Sequence, residues 1–271
     1  MNLFYVNHMN EKIDLNSKNI ILQYQELYNY SWDAENRNDK IAGFSRKTAT
    51  VPVTCAVTAD TIEEYREIVN GFHSVVEKDV RSIEPGRLYI GEQYLVCYIS
   101  GDIKTDAFMG VPIQVKNLTV VTDHPFWIQE NTYQFKANEL MSSNNKRYAY
   151  RYAYRYANGL MNTSIVNDHY ADCNFRMIVY GPIQDPLVYI GGHEYLVKII
   201  LEENEYLEID SAAETVTKVT AFGVRVNAFN NRNFVNSVFE PIRPGRQNVG
   251  WSGRFDFDLI VYEERSEPKW Q

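Results

Sequence analysis

The sequence predicts a mostly β protein of two domains with one short helix, and three observations support this fold class. Aromatic residues make up 14% of the 271 residues, with 20 Tyr and 13 Phe, and such residues favour strands. A single segment carries apolar residues at helical spacing. In the second half, short strand candidates alternate with turn residues about every ten positions, which is typical of a β-sandwich.

The first fifty residues contain strand candidates separated by polar loops. Residues 20–22 form a hydrophobic strand candidate, whereas residues 10–17 and 33–40 are rich in Asn, Asp and Lys and are predicted to be loops. The β-branched run at residues 46–57 predicts a strand, in which Pro52 marks an edge or a bulge.

The helix is predicted directly after this strand. Asp60 is a good N-cap residue, and Glu63 lies three residues later, as in a capping box. Apolar residues then recur at steps of three and four. Gly71 is the expected end, so the predicted helix has about ten residues.

The rest of the first half returns to β structure. Residues 87–90 and 94–99 flank a short loop that contains Gly91 and predict a hairpin, and residues 112–122 predict a further strand. The sequence becomes polar after Glu130. This shift in composition predicts a boundary between a domain of residues 1–137 and a domain of residues 138–271.

The second domain opens with a strict alternation of Tyr with Ala or Arg. At a period of two, the five tyrosines fall on one face of a strand; they are Tyr148, Tyr150, Tyr152, Tyr154 and Tyr156. The other strand candidates of this domain are residues 174–180, 187–190, 195–201, 206–209, 215–226 and 255–262.

Composition excludes several classes of protein. The net charge of −8 and a pI near 5.2 argue against a surface that coats nucleic acid or binds an anionic membrane. The sequence has no apolar stretch of about 18 residues and does not begin like a signal peptide, so we expect no membrane insertion. Three widely spaced Cys without a CxxC pair predict reduced, buried thiols.

The sequence contains no recognisable motif for a metal site or a nucleotide site. No pair of the five His has the spacing of zinc ligands. Asp168, His169, Asp172 and Cys173 crowd one loop, where a polar turn is favoured over a metal site. Phosphate-binding glycine loops and a nucleophile elbow are absent from the sequence. We therefore predict no metal and no cofactor.

Carboxylate pairs are the remaining route to catalysis. Glu202 with Glu203, or Asp256 with Asp258, could act as the acid and base of a glycosidase. However, Asp256 and Asp258 alternate with Phe, as on an exposed strand face. The prediction is that the protein is not an enzyme.

The tyrosine strand has two interpretations. Stacked Tyr can bind sugars, and Arg interleaved with aromatic rings can hold single-stranded nucleic acid. Here the Arg face opposes the Tyr face, so the two do not form one surface. Packing against a sheet or a subunit is therefore favoured over ligand stacking.

The order of these elements resembles the distal tail protein (Dit, or Sipho-tail) family of long-tailed bacteriophages, nearly end to end. In the first half the similar segments are the strand at residues 46–57, the helix at residues 60–71, and residues 85–89, 94–98 and 123–127. In the second half they are residues 181–183, 190–192, 207–211 and 244–249. The segment at residues 123–127, Asp-His-Pro-Phe-Trp, is similar to the Asp-x-Pro-aromatic-Trp step between the family's domains.

This resemblance implies a fold and a set of partners. The first domain would be a sandwich with one helix that assembles into a ring of six copies, and the second a galectin-like sandwich, without catalytic residues. The implied partners are the tail tube protein, the tail-tip or tail-lysin protein and, in some members, receptor-binding proteins. The virion tail tip is the implied location, after synthesis in the bacterial host cytoplasm. DNA would pass through the lumen, where like charge prevents sticking.

Two groups of candidate site residues follow. The five tyrosines and Trp127 are candidate interaction residues. If the galectin-like domain binds sugar, Trp251 with Asn248 and Arg254 is the candidate site, although the Gly-rich sequence around Trp251 favours a turn. The expected function is a structural ring-forming adaptor at the phage tail tip. The main alternative is a carbohydrate-binding module of a tail or cell-surface protein, and a glycoside hydrolase fragment is disfavoured by the lack of a convincing carboxylate pair.

Overall fold

The computed structural model describes residues 2–105, 110–137 and 161–270. It confirms a mostly β protein with one α-helix in this part of the chain. The chain divides into two compact units. Unit 1 comprises Met1–Gln129 with Glu264–Gln271, and unit 2 comprises Glu130–Glu263. The predicted boundary at residues 137 and 138 adjoins a segment outside the described residues and stays a prediction.

Unit 1 is built from two main antiparallel sheets, a separate two-stranded hairpin and the helix. Its strands are β1 Leu3–Val6, β2 Lys12–Asp14, β3 Ile20–Gln25, β4 Asp33–Arg37, β5 Lys40–Ser45, β6 Ala49–Thr58, β7 Gly86–Ile90, β8 Gln93–Thr105, β9 Ile113–Thr122 and the start of β10 Trp127–Phe135, with helix α1 Ile62–Ser82 between β6 and β7.

The long strand β8 connects the two sheets of unit 1. Its first residues pair with β7, which continues through β1 to β2, and with the start of β10. Its last residues pair with β9, which continues through β6 to β3. The pairing of β8 changes from β7 to β9 after Cys97, and its register with β9 shifts between Ile99 and Gly101, as at a β-bulge. Buried residues of both sheets and of α1 form one core.

Helix α1 is twice as long as predicted and begins one residue later. The N-cap is Thr61, whose hydroxyl accepts from the N–H of Glu64. The Glu64 carboxylate accepts from the N–H of Asp60, so the capping box is offset by one residue from the predicted pair. The predicted end at Gly71 is wrong, because packing of Phe72 and Val76 in the core outweighs the roughly 1 kcal/mol that glycine costs within a helix.

The helix ends on a strained residue. Ile83 has a φ of 59° in the left-handed region, and its N–H donates to the carbonyl of Asp79. A β-branched residue is disfavoured in this conformation. Its side chain is 80% exposed, so little packing compensates for the strain.

We expect Ile83→Asn to stabilise the protein by about 1 kcal/mol, because Asn tolerates the left-handed cap better than Ile. Urea denaturation of the two proteins measures the difference. Val80→Asn is the control: Val80 is also exposed but lies within the helix, where Asn brings no such gain. A decrease in stability of Ile83→Asn would contradict the strain at this cap.

Unit 2 is a sandwich of two main antiparallel sheets, with one separate two-stranded pair. Its remaining elements are β11 Met161–Asn167, β12 Asn174–Tyr180, β13 Ile183–Gln184, β14 Leu187–Ile190, β15 His193–Leu196, β16 Ile200–Leu201, β17 Tyr206–Asp210, β18 Thr215–Val219, β19 Arg225–Asn227, the short 3-10 helix Phe229–Asn231, β20 Gly245–Trp251 and β21 Phe257–Arg265.

One sheet of unit 2 has the order β10, β21, β12, β17, β18 and β19, and the other has the order β11, β20, β14 and β15. Their buried side chains form one core, which includes Phe175, Leu207, Trp251 and Phe257. The sandwich predicted for the second half is therefore present. Its likeness to galectins stays a prediction.

Several sequence-based expectations are corrected. Residues 33–40, predicted to be a loop, belong to the β4–β5 hairpin, because Asn38 and Asp39 adopt φ angles of 52° and 59° and form a tight turn. Residues 10–17 contain the strand β2. The predicted strands at residues 195–201 and 215–226 are each divided into two. The strands β10, β11 and β20 were not predicted, because their sequences carry polar residues and glycine.

Candidate functional site

The β4–β5 hairpin forms a two-stranded sheet of its own. Every side chain of β4 is exposed, as are four of the six in β5. Among the described residues, neither strand pairs with a third, so both edges present unpaired backbone groups. Unpaired edges are ready sites for pairing with another chain.

Exposed apolar side chains accompany these free edges. Ile41 and Phe44 on β5 are 61% and 58% exposed. Tyr30 and Trp32, which precede β4, are 52% and 43% exposed. Apolar groups concentrated on one exposed element indicate a contact surface for a protein partner. We call residues 30–45 the apolar arm.

The base of the apolar arm is fixed to unit 1. The Arg46 guanidinium lies 5.8 Å from the ring centre of Trp32 and 5.0 Å from that of Phe126, which are cation–π distances. It also donates to the carbonyls of Pro125 and Ser266. The arm is therefore anchored at its base and exposed along its length.

The returning C-terminal segment adds to this anchorage. Trp270 stacks on Tyr28 with ring centres 4.2 Å apart. The N–H of Lys269 donates to Gln93 Oε1 at 2.7 Å. His124 Nε2 lies 3.2 Å from Glu264 Oε1. The hydrogen bond with the Glu264 carboxylate raises the pKa of His124 above its ordinary value, against the opposing effect of burial.

This raised pKa predicts a pH-dependent stability of unit 1. The stabilisation is complete below the pKa of about 6.5 in the unfolded chain, and it is lost as the pH rises through the higher pKa in the folded chain. We expect the Tm of His124→Gln to fall less than that of the wild type between about pH 5.5 and about pH 8. Thermal scans measure both. Parallel pH profiles for the two proteins would rule out this contribution.

The structure also locates the residues predicted from the sequence. The five tyrosines, Tyr148 to Tyr156, lie outside the described residues. Trp127 is only 2% exposed and belongs to the core of unit 1. The expectation that Trp127 is an interaction residue is corrected, because a ring buried within its own unit has no face to offer a partner.

The three residues of the predicted sugar site do not form one surface, because one is buried and two are exposed. Trp251 is 3% exposed, packs against Phe135 and Phe257, and donates from Nε1 to the carbonyl of Phe255. Asn248 and Arg254 are exposed. The expectation that Trp251 stacks on a sugar is corrected, because its ring fills the core of unit 2.

The loop at residues 168–173 is a turn held by local hydrogen bonds. His169 Nδ1 accepts from the N–H of Ala171, and the N–H of His169 donates to Asn167 Oδ1. Within the described ranges, no three His, Cys, Asp or Glu side chains are arranged to hold a metal ion. No helix in these ranges is long and apolar enough to cross a membrane. All three Cys are buried, and none forms a disulfide within the described residues.

Solved structures share this fold, although sequence comparison finds no relative. No protein-family model and no curated protein sequence matches the chain. The crystal structure of the Dit protein of phage SPP1, described as a paradigm of the hub adsorption apparatus in phages that infect Gram-positive bacteria, matches with a TM-score of 0.58. The two are 11% identical over 97% of this chain and 98% of that chain.

The baseplate of phage P2 contains a second match. Its structures in the activated conformation, one with Ca and one with Sr, match with a TM-score of 0.60 and 12% identity. They cover 98% of this chain and 98% or 99% of theirs. The chain therefore has the fold of phage distal tail and baseplate hub proteins, which confirms the resemblance predicted from the sequence.

The apolar arm was missed in the sequence because its residues are embedded in a polar stretch. Two features of the sequence could have indicated the arm. The pair Asn38-Asp39 suits a two-residue hairpin turn, and the apolar residues Ile41 and Phe44 follow it.

Proposed function

We propose that this protein is a structural, non-enzymatic component of a phage tail tip, in which copies of the chain form a closed ring. The exposed apolar arm is the observation that carries the proposal, and the fold shared with hub proteins supports it. The ring would join the tail tube protein to the tail-tip or tail-lysin protein and, at its periphery, to receptor-binding proteins. Six copies are the number implied by the resemblance.

A closed ring requires two different patches on each copy, because its contacts are head to tail. The apolar arm supplies one patch. The outer edge of β3 is the candidate for the other: among the described strands β3 pairs only with β6, and its Ile21 and Tyr24 are 45% and 52% exposed. Pairing of the arm with β3 of the next copy would cover an edge and apolar surface together.

The net charge of −8 suits such a ring. DNA passing through a lumen with acidic walls would meet like charge, which prevents binding to the wall.

The test is the oligomeric state measured by size-exclusion chromatography with light scattering. We expect the wild type to form a ring and the double variant Ile41→Asp, Phe44→Asp to elute as a 31.6 kDa monomer. Because both side chains are exposed, the Tm should change little. The matched control is Phe234→Asp with Val235→Asp in unit 2, where the side chains are 73% and 88% exposed. This control should retain the ring.

Two results would count against the proposal. One is a wild-type protein that stays monomeric at high concentration in every buffer. The other is a folded arm variant that assembles as well as the wild type. Negative-stain images add a direct observation, because a ring with a central hole is visible in them.

A further inference from the structure

Unit 2 contains a depression of about 250 Å³ between the turn that joins β14 to β15 and the segment before β20. We call it the unit 2 pocket. The side chains that matter for its chemistry belong to His193, Tyr195, Glu240, Arg243 and Gln247, and the backbone of Gly191 forms part of its rim.

Hydrogen bonds fix the backbone around the unit 2 pocket. Ile242 and Cys173 exchange two backbone hydrogen bonds of 2.8 and 2.9 Å, which fixes the segment that carries Glu240 and Arg243. The Tyr195 hydroxyl donates to the carbonyl of Glu240 at 2.7 Å. The N–H of Gly191 donates to a carbonyl of β20 at 2.8 Å. The pocket is therefore preformed, as ligand sites usually are.

Gln247 is oriented by its surroundings. Its amide nitrogen donates to the carbonyls of Arg243 and Pro244 at 3.2 and 2.9 Å, so the side chain cannot turn freely. Its Oε1 lies against Gly191, where a Cβ would collide with it, and Gly191 also has a φ of 59°. Glycine at this position therefore leaves room for a fixed acceptor oxygen.

Four polar groups of the pocket have no hydrogen-bond partner among the described residues: the Glu240 carboxylate, the Arg243 guanidinium, Gln247 Oε1 and His193 Nδ1. The Nε2 of His193 lies 2.7 Å from the carbonyl of Ser237, which requires a proton on Nε2. In the neutral ring Nδ1 is then an acceptor.

Both charges of the pocket lie near the same hydroxyl. Burial is the main cause of a raised pKa of Tyr195; the Glu240 carboxylate raises this pKa further and the Arg243 guanidinium lowers it. The pocket thus combines one cation, one anion, an amide oxygen and an imidazole ring within a small volume.

We propose that the unit 2 pocket binds a neutral carbohydrate through one sugar residue. Neighbouring sugar hydroxyls both donate and accept, so they can satisfy the carboxylate, the amide oxygen and the guanidinium together. A phosphate would meet the Glu240 carboxylate, and an ammonium group would meet the Arg243 guanidinium, so each charged ligand faces repulsion that a neutral one avoids. The small volume fits weak binding of a single sugar unit.

This proposal does not depend on ring formation. Its test is saturation-transfer NMR on the full-length protein with glucose, galactose and N-acetylglucosamine as probes. We expect at least one sugar to bind with a millimolar Kd. Glu240→Gln and Arg243→Ala should each raise that Kd about tenfold or more, because each removes hydrogen bonds to a charged group. The matched control is Arg254→Ala, an exposed Arg outside the pocket, which should leave the Kd unchanged.

The thermal midpoint of each variant is measured alongside, because a folded variant is required for the comparison. The absence of binding by all three sugars overturns the proposal. So does binding that Arg254→Ala abolishes while the two pocket variants retain it. Tighter binding of inorganic phosphate than of any sugar, improved further by Glu240→Gln, would also overturn it by assigning the pocket to anions.

Discussion

Asp79→Ala is expected to lower the free energy of unfolding by about 3–5 kcal/mol, the loss that follows when one partner of a buried charged network is removed. Asp79 lies on α1 and is fully buried. Its carboxylate accepts from the Tyr5 hydroxyl, from the N–H of His8 at 3.0 Å and from the ring of His8 at 2.5 Å. Alanine would remove this acceptor from both donors of His8 and leave the Tyr5 hydroxyl with only the more distant carbonyl of Cys97 at 3.3 Å.

The side chains around Asp79 have little room to rearrange. Tyr5 is also fully buried, and a Cβ at Gly86 would collide with both its hydroxyl and the Asp79 carboxylate. Side chains in such a close arrangement cannot move toward water to recover hydrogen bonds. Because this network joins α1 to β1, its loss should loosen the helix from the sheet.

Urea denaturation followed by circular dichroism measures the effect, and a decrease in Tm of about 10 °C or more should accompany it. Asp79→Asn keeps one acceptor oxygen and should lose less. The control is Glu84→Ala: the Glu84 side chain is 65% exposed and lies 3.8 Å from His8 Nε2, so its removal should change stability by less than about 0.5 kcal/mol. Asp79→Ala with wild-type stability would show that the network does not stabilise unit 1.

Elements with a regular pattern could be predicted from the sequence, often to the residue. The strands β12 and β14 have the predicted bounds because each is a short run rich in apolar residues between clear turns. The start of α1 was predicted within one residue from its capping signals. These features depend on neighbouring residues alone, so one sequence is enough to find them.

Features that depend on contacts between distant residues could not be predicted. Lys116 occupies a buried position of β9, where it pairs with Asp102 at 2.7 Å and lies over the ring of Phe72. Burial lowers the pKa of Lys116. Within the strand pattern this Lys looks like a solvent-facing residue, because nothing nearby in the sequence indicates that α1 covers it.

The same limit applies to the candidate sites. The unit 2 pocket joins the turn at Gly191 to residues about fifty positions later. The bridge that fixes it joins Cys173 to Ile242, which are even farther apart in sequence. A search for neighbouring aromatic and polar residues therefore selected Trp251, Asn248 and Arg254. Burial, which separates Trp251 from the other two, becomes visible only in three dimensions.

Trp251→Ala is the second prediction with a large effect, and it distinguishes a core residue from a sugar platform. The ring centre of Trp251 lies 5.5 Å from that of Phe135 and 5.4 Å from that of Phe257, both in edge-to-face arrangements, which stabilise aromatic pairs. Its indole N–H donates to the carbonyl of Phe255 at 3.2 Å. Truncation should cost about 3–5 kcal/mol, from lost burial and from the cavity that remains.

Denaturation of unit 2, monitored by the near-ultraviolet circular dichroism of its aromatic core, measures this loss. Trp251→Phe should retain more stability than Trp251→Ala, because it keeps an aromatic ring between Phe135 and Phe257 but loses the indole hydrogen bond. Arg254→Ala should stay near the wild type because Arg254 is exposed. A sugar platform predicts the opposite pattern for Trp251→Ala: unchanged stability with lost sugar binding. That pattern would require the ring to leave the core, against its 3% exposure and its buried hydrogen bond.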